Sequence, residues 1–288
     1  MKAIYKKELR SYFTSFLGYL FVAFLLIFVS IFQYLYNLRG EYANFALAVN
    51  GTATFFLLLV PMLTMRILAE EKRQRTDQLI FTAPVSVTRI VLGKYLALVT
   101  VFGIACLFVC FYPLILHNYG ATNYAVAYTT ILAFFLLGCT YMAIGMFISA
   151  LTESQVFAAV VTFIVILFTL MIDMLVAMLP TGHLLALGVL IGLALIISVI
   201  TYVMMKSKIV TGAFAVISVG GLIIAYLINE QWFDGSLAKV FGWLSVQSRF
   251  SLFRFGIVDI SSYVYYLSMI FLFVFLTVQA IKKRRWEA

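Results

Sequence analysis

Long apolar runs, separated by short polar breaks, occupy most of the 288-residue chain. Each run has roughly the 17–25 residues that a helix needs to cross about 30 Å of hydrocarbon. A membrane β-strand would instead alternate apolar and polar residues over about ten positions, and these runs do not alternate. The pattern predicts an all-α polytopic membrane protein with about eight transmembrane helices, at residues 17–38, 51–69, 93–117, 125–150, 156–179, 184–205, 209–229 and 263–281.

Basic residues lie mainly on one side of this topology. With a cytoplasmic N-terminus, 16 of the 20 Lys and Arg residues fall on cytoplasmic segments, as the positive-inside rule requires. We therefore expect both the N- and C-termini in the cytoplasm. Removing one span would move either Lys206 and Lys208 or the C-terminal basic cluster outside. Removing the hairpin 184–229 preserves the orientation, so six spans are the alternative to eight.

The amino-acid composition excludes an ordinary soluble domain. Hydrophobic residues make up 65% of the chain and charged residues 11%, whereas soluble domains carry roughly 25% charged residues. The net charge of +9 follows from the cytoplasmic basic residues and favours contact with membrane lipid over nucleic acid. Residues 1–10 are basic and lead into a long apolar run without a cleavage site. We therefore expect a retained first span in a multi-pass protein of the cytoplasmic (inner) membrane.

Neither a catalytic constellation nor a metal site is visible in the sequence. The P-loop, HExxH and GxSxG motifs are all absent. Cys106, Cys110 and His117 share one face of a helix, but they extend over more than two helical turns, which is too far to ligate one ion. We therefore expect no enzyme activity, no metal and no cofactor bound by this chain.

Two residues interrupt the apolar character of the predicted spans. Pro61 lies inside the second span, where its missing N–H predicts a kink. Asp173 is the only acidic residue well inside a span, and intramembrane carboxylates usually face a cavity or a partner. Asp173 is either a polar element of a translocation path or a residue near the outer end of its span, because Pro180 follows seven residues later.

Two segments outside the spans carry patterns of their own. Residues 70–92 form the longest cytoplasmic stretch, in which a mixed-charge helix leads to an apolar patch that Pro84 ends. Such a segment is either a docking element for a cytoplasmic protein or a solvated loop with an interfacial anchor. Residues 230–262 lie outside, and the helical spacing of their apolar residues predicts an amphipathic helix, either at the outer interface or dipping back toward the spans. These apolar residues are Trp243, Val246, Phe250, Phe253 and Ile257.

The chain resembles the permeases of ABC type-2 transporters, in particular their gliding-motility and copper-enzyme-maturation branch. The resemblance covers about the first 100 residues, and the remainder is similar in hydropathy and layout. The family often has Gly at the position of Arg75 and Pro at the position of Phe16. The pieces that carry the resemblance are residues 4–13, 61–66, 70–73, 76–79 and 83–86.

This resemblance implies one transmembrane permease domain over residues 1–288. Residues 1–16 would form an amphipathic connecting helix before the first span, and residues 70–92 would form a cytoplasmic coupling segment. The family core has six spans. The hairpin 184–229 would therefore be an insertion of two extra spans, and residues 230–262 would correspond to the outer helices that precede the last span.

The resemblance also implies a function, that of the permease subunit of an ATP-binding-cassette exporter. A separate cytoplasmic ATPase subunit would bind ATP and Mg, and a second permease copy, identical or related, would complete the translocation path. Pro61 and Asp173 would line or gate that path. The connecting helix would act through Lys6, Lys7, Glu8 and Phe13. Coupling to the ATPase would fall on Glu70, Glu71, Lys72, Arg73, Thr76, Asp77, Gln78 and Leu79.

Two other functional classes are compatible with the sequence. An ion- or proton-coupled secondary transporter would need internal repeats and several buried ionisable residues, and Asp173 is the only candidate. A membrane scaffold or force-transmitting component without a transported substrate fits the gliding-motility resemblance. The three classes differ in whether substrate moves and whether ATP is needed to move it.

Overall fold

The computed structural model shows a helical protein. Its helices, in chain order, are α1 (Lys2–Thr14), α2 (Leu17–Phe32), α3 (Phe45–Ala53), α4 (Phe56–Thr64), α5 (Ala69–Arg73), α6 (Val87–Val109), α7 (Tyr112–His117), α8 (Tyr124–Leu151), α9 (Gln155–Met178), α10 (Val246–Ser251) and α11 (Ile260–Glu287). A π-helical turn, Gln33–Leu38, continues α2, and a 3₁₀ turn, Leu252–Phe255, follows α10. The structure describes residues 1–40, 44–76, 85–118, 123–178, 187–192, 194, 198, 218–222, 225–226, 242, 245–256 and 259–287, without the side chains of residues 173, 177, 254 and 284–287.

Apolar helices long enough to cross a membrane confirm the predicted all-α polytopic class. A further helix pair, Phe45–Ala53 with Phe56–Arg73, passes the same test but is bent by 55°, so the described residues hold five or six candidate spans. Most of the two predicted spans at 184–205 and 209–229 lies outside the described residues, and the total of eight stays a prediction. The five unbroken candidates are Leu17–Leu38, Val87–His117, Tyr124–Leu151, Gln155–Ile172 and Ile260–Lys283.

The bend in the second span does not occur at Pro61, where the sequence predicts a kink. The helix breaks at residues 54–55, nearly two turns before the proline. The Thr52 hydroxyl donates to the carbonyl oxygen of Ala48 at 2.9 Å, a side-chain bond that competes with the helix ladder and favours bending. Helix α4 begins at Phe56, after the break, and Pro61 lies within it.

The ends of several helices also differ from the predicted spans. Helix α3 begins earlier than the predicted second span, because the Asn44 side chain caps it by accepting from the Ala46 amide at 3.0 Å. Helix α6 begins at Val87 rather than at 93. Helix α11 begins three residues early, where the Asp259 carboxylate accepts from the amides of Ser261 and Ser262 at 3.0 and 3.2 Å. At α3 and α11, polar caps therefore set helix starts that hydropathy alone places too late.

Helix α8 lies at the centre of the unit formed by residues 1–170 and 246–288. In its most apolar window 78% of the residues are buried, against 22–39% in the other candidate spans. Two glycines make this burial possible: a Cβ atom at Gly138 would overlap the ring of Phe102, and one at Gly145 would overlap Thr64. The peripheral helices instead expose apolar side chains, as lipid-facing surfaces do.

The predicted connecting helix and outer segment correspond to α1 and to residues 246–255 in this unit. Helix α1 is amphipathic and lies against α6, where Gly93 allows the close approach of Met1 and Ile4. In the outer segment, the apolar side chains of Val246, Phe250 and Phe253 are buried. Trp243 and Ile257, which belong to the same predicted apolar face, lie outside the described residues.

A second compact unit comprises Met171–Ser245. Its described residues include the last turns of α9 and short helical stretches at 187–192 and 218–222. The partly buried side chains that pack together here are Leu187, Leu190, Leu222, Ala225 and Tyr226. These residues come from both arms of the predicted hairpin 184–229.

Candidate functional site

A fully buried lysine lies near the start of α6. Lys94 is 1% exposed, and its ammonium group contacts three oxygen atoms from α1 and from the region of α5. Lys94 Nζ lies 2.9 Å from Glu8 Oε1 and 2.8 Å from Glu71 Oε1, and it donates to the carbonyl oxygen of Ile67 at 3.0 Å. An ammonium group has three donors, so these contacts use all of them. Lys94 therefore joins α1, α5 and α6 at one point.

A second lysine balances the charge at this point. Lys7 Nζ lies 3.2 Å from Glu71 Oε1 and 3.8 Å from Glu8 Oε1, so two ammonium groups face two carboxylates. Burial alone would lower the pKa of Lys7, but the Glu71 and Glu8 carboxylates outweigh it and raise that pKa above 10.5. We refer to Lys7, Glu8, Glu71 and Lys94 as the ion-pair cluster.

A polar cleft of about 320 Å³ lies beside the ion-pair cluster, between α1 and residues 66–76. Arg66 Nε contacts Glu70 Oε2 at 2.9 Å on one wall. On the other wall, the Tyr12 hydroxyl donates to the carbonyl oxygen of Leu63 at 3.0 Å. Burial raises the pKa of Tyr12 well above its usual value of 10, which keeps the hydroxyl a donor. Helix α1 is thereby bonded to the end of α4 as well as to α5 and α6.

The short helix α5 is also bonded to the C-terminal end of α8. The Ser149 hydroxyl accepts from the amides of Leu68 and Ala69 at 3.2 and 3.1 Å, and it donates to the carbonyl oxygen of Met65 at 3.2 Å. The first amides of a helix have no acceptor within the helix, so the Ser149 hydroxyl oxygen supplies an acceptor for the amides at the start of α5. Lys72 Nζ donates to the carbonyl oxygen of Ala150. Motion of α5 is therefore resisted from α1, α6 and α8 together.

Comparison with protein families matches residues 34–281 to the description "ABC-2 family transporter protein". The chain belongs to the ABC-2 transporter family. It is thus the membrane-spanning permease component of an ABC transporter, and permeases of this family generally work with an ABC ATPase. A search of curated proteins and a search of solved structures each found no match. The matched range includes Glu71 and Lys94 and begins after α1.

The structure of this ABC-2 permease brings several predicted coupling residues into contact with the predicted connecting helix. Lys7, Glu8 and Glu71 meet in the ion-pair cluster. Glu70 pairs with Arg66 beside the cleft. Thr76 Oγ1 donates to the carbonyl oxygen of Glu71 at 3.4 Å. Residues that are far apart in sequence therefore form one continuous polar site.

Other predicted residues of the permease lie apart from this site. Lys6 and Arg73 are exposed. The Phe13 ring meets the edge of Tyr19 at a centroid distance of 5.2 Å, where α1 turns into α2. Asp77, Gln78 and Leu79, the last three of the predicted coupling residues, lie outside the described residues.

The two departures from the family pattern both occupy unusual backbone conformations. Arg75 has a φ of 55° and Phe16 a φ of 64°, the positive values that the structure describes for residues other than glycine. The left-handed region costs a residue with a Cβ atom roughly 1–2 kcal/mol, whereas glycine adopts it freely. A glycine at position 75 would suit the turn that follows α5. A proline at position 16 would not, because proline holds φ near −65°.

The predicted path residues of the permease fall on α4 and α9. Pro61 lines an apolar cavity of about 370 Å³ together with Leu57 of α4, Met65 directly after α4, and Ala159 and Phe163 of α9. Asp173 belongs to α9 as well, but its side chain lies outside the described atoms. The cavity thus contacts the second and fifth spans, to which the resemblance assigns the path.

Sequence reasoning missed Lys94 and Ser149 as site residues. The count of basic residues assigns Lys94 to the cytoplasmic side, although Lys94 lies within an apolar run and intramembrane charges usually have partners. The position of Lys94 inside an apolar run is therefore the sequence signal that could identify it as a site residue. Ser149 lies in a long apolar helix where a single serine is common, and nothing in its neighbours signals a role. Among the described residues, no group of three or more His, Cys, Asp or Glu is placed to hold a metal ion.

Proposed function

We propose that this chain is the permease subunit of an ABC exporter of the gliding-motility and copper-enzyme-maturation branch, in the cytoplasmic membrane. A separate ATPase subunit binds ATP and Mg and docks on the coupling segment 70–92. A second permease copy completes the path. The observation that carries the proposal is the ion-pair cluster, because it bonds the start of the coupling segment to α1 and α6 in a chain of the ABC-2 transporter family.

The geometry supports a route for force from the coupling segment to the spans. Glu71 contacts Lys94 of α6 and Lys7 of α1, and residues 68–69 contact Ser149 of α8. Buried, hydrogen-bonded contacts of this kind resist separation, so a displacement of α5 moves the ends of α6 and α8. ATP-driven closure of the ATPase subunits would then tilt these spans between two states.

The proposed path lies along α4 and α9. The apolar cavity beside Pro61 supports this placement, because its lining suits hydrophobic groups better than hydrated ions. Asp173 is proposed as a polar element further along α9. Two copies, identical or related, would place two such cavities on either side of their interface.

Co-purification tests the docking of an ATPase on the coupling segment. We expect a detergent extract of the full chain from its native membrane to contain an ABC ATPase, and we expect its loss when residues 76–79 are replaced by a Gly/Ser run. Replacement of residues 119–122, which the topology places on the outer side, is the control of equal length. Retention of the ATPase by the 76–79 variant would show that docking occurs elsewhere.

Reconstituted vesicles separate the exporter from the two other classes. An exporter moves substrate only with ATP, and its ATPase rate rises when substrate is added. A force-transmitting scaffold would hydrolyse ATP at the same rate whatever compound is supplied. A secondary transporter would use an ion gradient to drive substrate transport and would not need ATP. Either of these last two results would overturn the exporter proposal.

A further inference from the structure

A further cavity, of about 650 Å³, lies at the C-terminal ends of α8 and α11. Its wall is mostly apolar, and Gln279, Lys282 and Lys283 of α11 lie at its polar end. Phe147, one of its wall residues, packs against Phe273 with ring centroids 5.9 Å apart. We call this cavity the α8/α11 groove. Its apolar wall consists of Phe147, Leu151, Leu276 and Ala280.

The α8/α11 groove is amphipathic along the direction of the membrane normal. The candidate span of α11 ends at Lys283, and Arg284 and Arg285 follow directly in the sequence. Basic residues at the end of a span lie at headgroup depth, and their long side chains extend along the apolar surface toward the phosphates. Phe147 and Leu276 lie about one and two helical turns before the ends of their spans, at the depth of acyl chains, whereas the lysines lie at the depth of lipid phosphates.

We propose that the α8/α11 groove binds one anionic phospholipid, with an acyl chain against the apolar wall and the phosphate at Lys282 and Lys283. Charge complementarity selects this occupant, because basic clusters at the ends of spans attract anionic headgroups. A second copy of the chain is a poorer fit. An isologous contact about the groove would bring two identical basic clusters together. The proposal does not depend on the ATPase partner.

Lipid binding to the purified full chain tests this proposal. Native mass spectrometry would compare phosphatidylglycerol with phosphatidylcholine of the same acyl chains, and we expect the wild-type chain to retain phosphatidylglycerol preferentially. The double variant K282Q/K283Q should weaken phosphatidylglycerol binding roughly tenfold or more, since each basic residue near the surface contributes to the attraction. The control K2Q/R10Q removes two exposed basic residues of α1 and should bind as the wild type does.

A second variant tests the apolar half of the groove. Ala280→Trp fills the groove while all the basic residues stay in place, and it should also reduce phosphatidylglycerol binding. Ala280→Leu serves if the tryptophan variant does not fold. Equal binding of the two lipids, or equal losses in K282Q/K283Q and K2Q/R10Q, would overturn the proposal. A change of oligomeric state in K282Q/K283Q with lipid binding intact would identify the groove as a subunit interface instead.

Discussion

At Lys94, an ammonium group is held away from water by the carboxylates of Glu8 and Glu71 and by one carbonyl oxygen. Transfer of a charge out of water is costly, so the arrangement is stable only while every partner is present. The cluster therefore makes the contact between α1, α5 and α6 sensitive to a single substitution. Lys7 is different, because its side chain is 64% exposed, and water would replace part of any ion-pair interaction that a substitution removed.

Lys94→Met tests the role of the buried lysine. We expect the free energy of unfolding to fall by about 3–5 kcal/mol, because the substitution leaves two carboxylates near one another without their buried partner. Thermal unfolding in detergent measures the effect. The matched control is Lys2→Met, which removes an exposed lysine from α1 and should change stability by less than about 0.5 kcal/mol.

The triple variant K94M/E8Q/E71Q distinguishes charge from packing. Neutral glutamines tolerate the absence of the lysine better than carboxylates do, so we expect part of the lost stability to return. A triple variant as unstable as Lys94→Met would show that the lost stability does not come from the two unpaired carboxylates, and it would contradict the charge argument.

The raised pKa of Lys7 predicts an alkaline limit to its contribution. A lysine whose pKa is raised on folding stabilises the protein fully below its unfolded pKa of about 10.5, and the contribution disappears as the pH rises through the higher folded pKa. Unfolding of the wild type and of Lys7→Gln should therefore differ at pH 8. The two curves should converge toward pH 12. A difference that is independent of pH would contradict the ion-pair account.

Among the elements, α8 depends on small residues, because its neighbours approach it on several sides. The window of highest hydropathy in α8 is far more buried than that of any other described candidate span. Glycine is unfavourable in the middle of a helix, so its presence where Thr64 and Phe102 approach reflects packing rather than helix propensity. The same helix contributes Ser149, which bonds the start of α5, so the position of α8 affects both the core and the polar site beside α5.

Gly145→Ala tests this packing. The added Cβ atom would overlap Thr64 of α4, and overpacking of this kind costs roughly 1–3 kcal/mol. Gly103→Ala on α6 is the matched control, because its nearest neighbour is the Phe135 ring at 3.7 Å, an ordinary contact. That control should be neutral or stabilising by up to about 1 kcal/mol through helix propensity. Melting temperatures in detergent compare the two, and equal shifts would refute the packing argument.

At the scale of the whole molecule, the number of spans decides on which side residues 206–208 lie. Eight spans place them in the cytoplasm, and six spans without the hairpin 184–229 place them outside. We expect Ser207→Cys, in a background in which Cys106, Cys110 and Cys139 are replaced by alanine, to react with an impermeant thiol reagent only after permeabilisation. This result follows from the distribution of basic residues.

Two further cysteine variants calibrate the labelling. Both topologies place Ser236→Cys outside, and both place Ala288→Cys in the cytoplasm. Labelling of Ser207→Cys in intact cells at the rate of Ser236→Cys would establish six spans. The family membership of the chain is independent of this outcome, because the match extends over residues 34–281 in either case.

The amino-acid sequence by itself determined the membrane class, most of the described spans and the family resemblance. The length of an apolar run and the distribution of basic residues are visible in the linear sequence. They determine directly which segments cross the bilayer and in which orientation. The same information placed the kink at Pro61, since a proline is visible in sequence. The observed bend lies instead at residues 54–55, where the sequence has no proline.

Only the tertiary structure decided which groups meet in the ion-pair cluster and around Ser149. Lys94 pairs with a carboxylate 86 residues away, and Ser149 bonds an amide 81 residues away. Such pairings depend on how helices pack and on which polar groups that packing leaves without water. The family resemblance predicts that α1 is a connecting helix and that residues 70–92 are a coupling segment. The fold joined them through a buried lysine, because a charge inside an apolar bundle is stable only beside its partners.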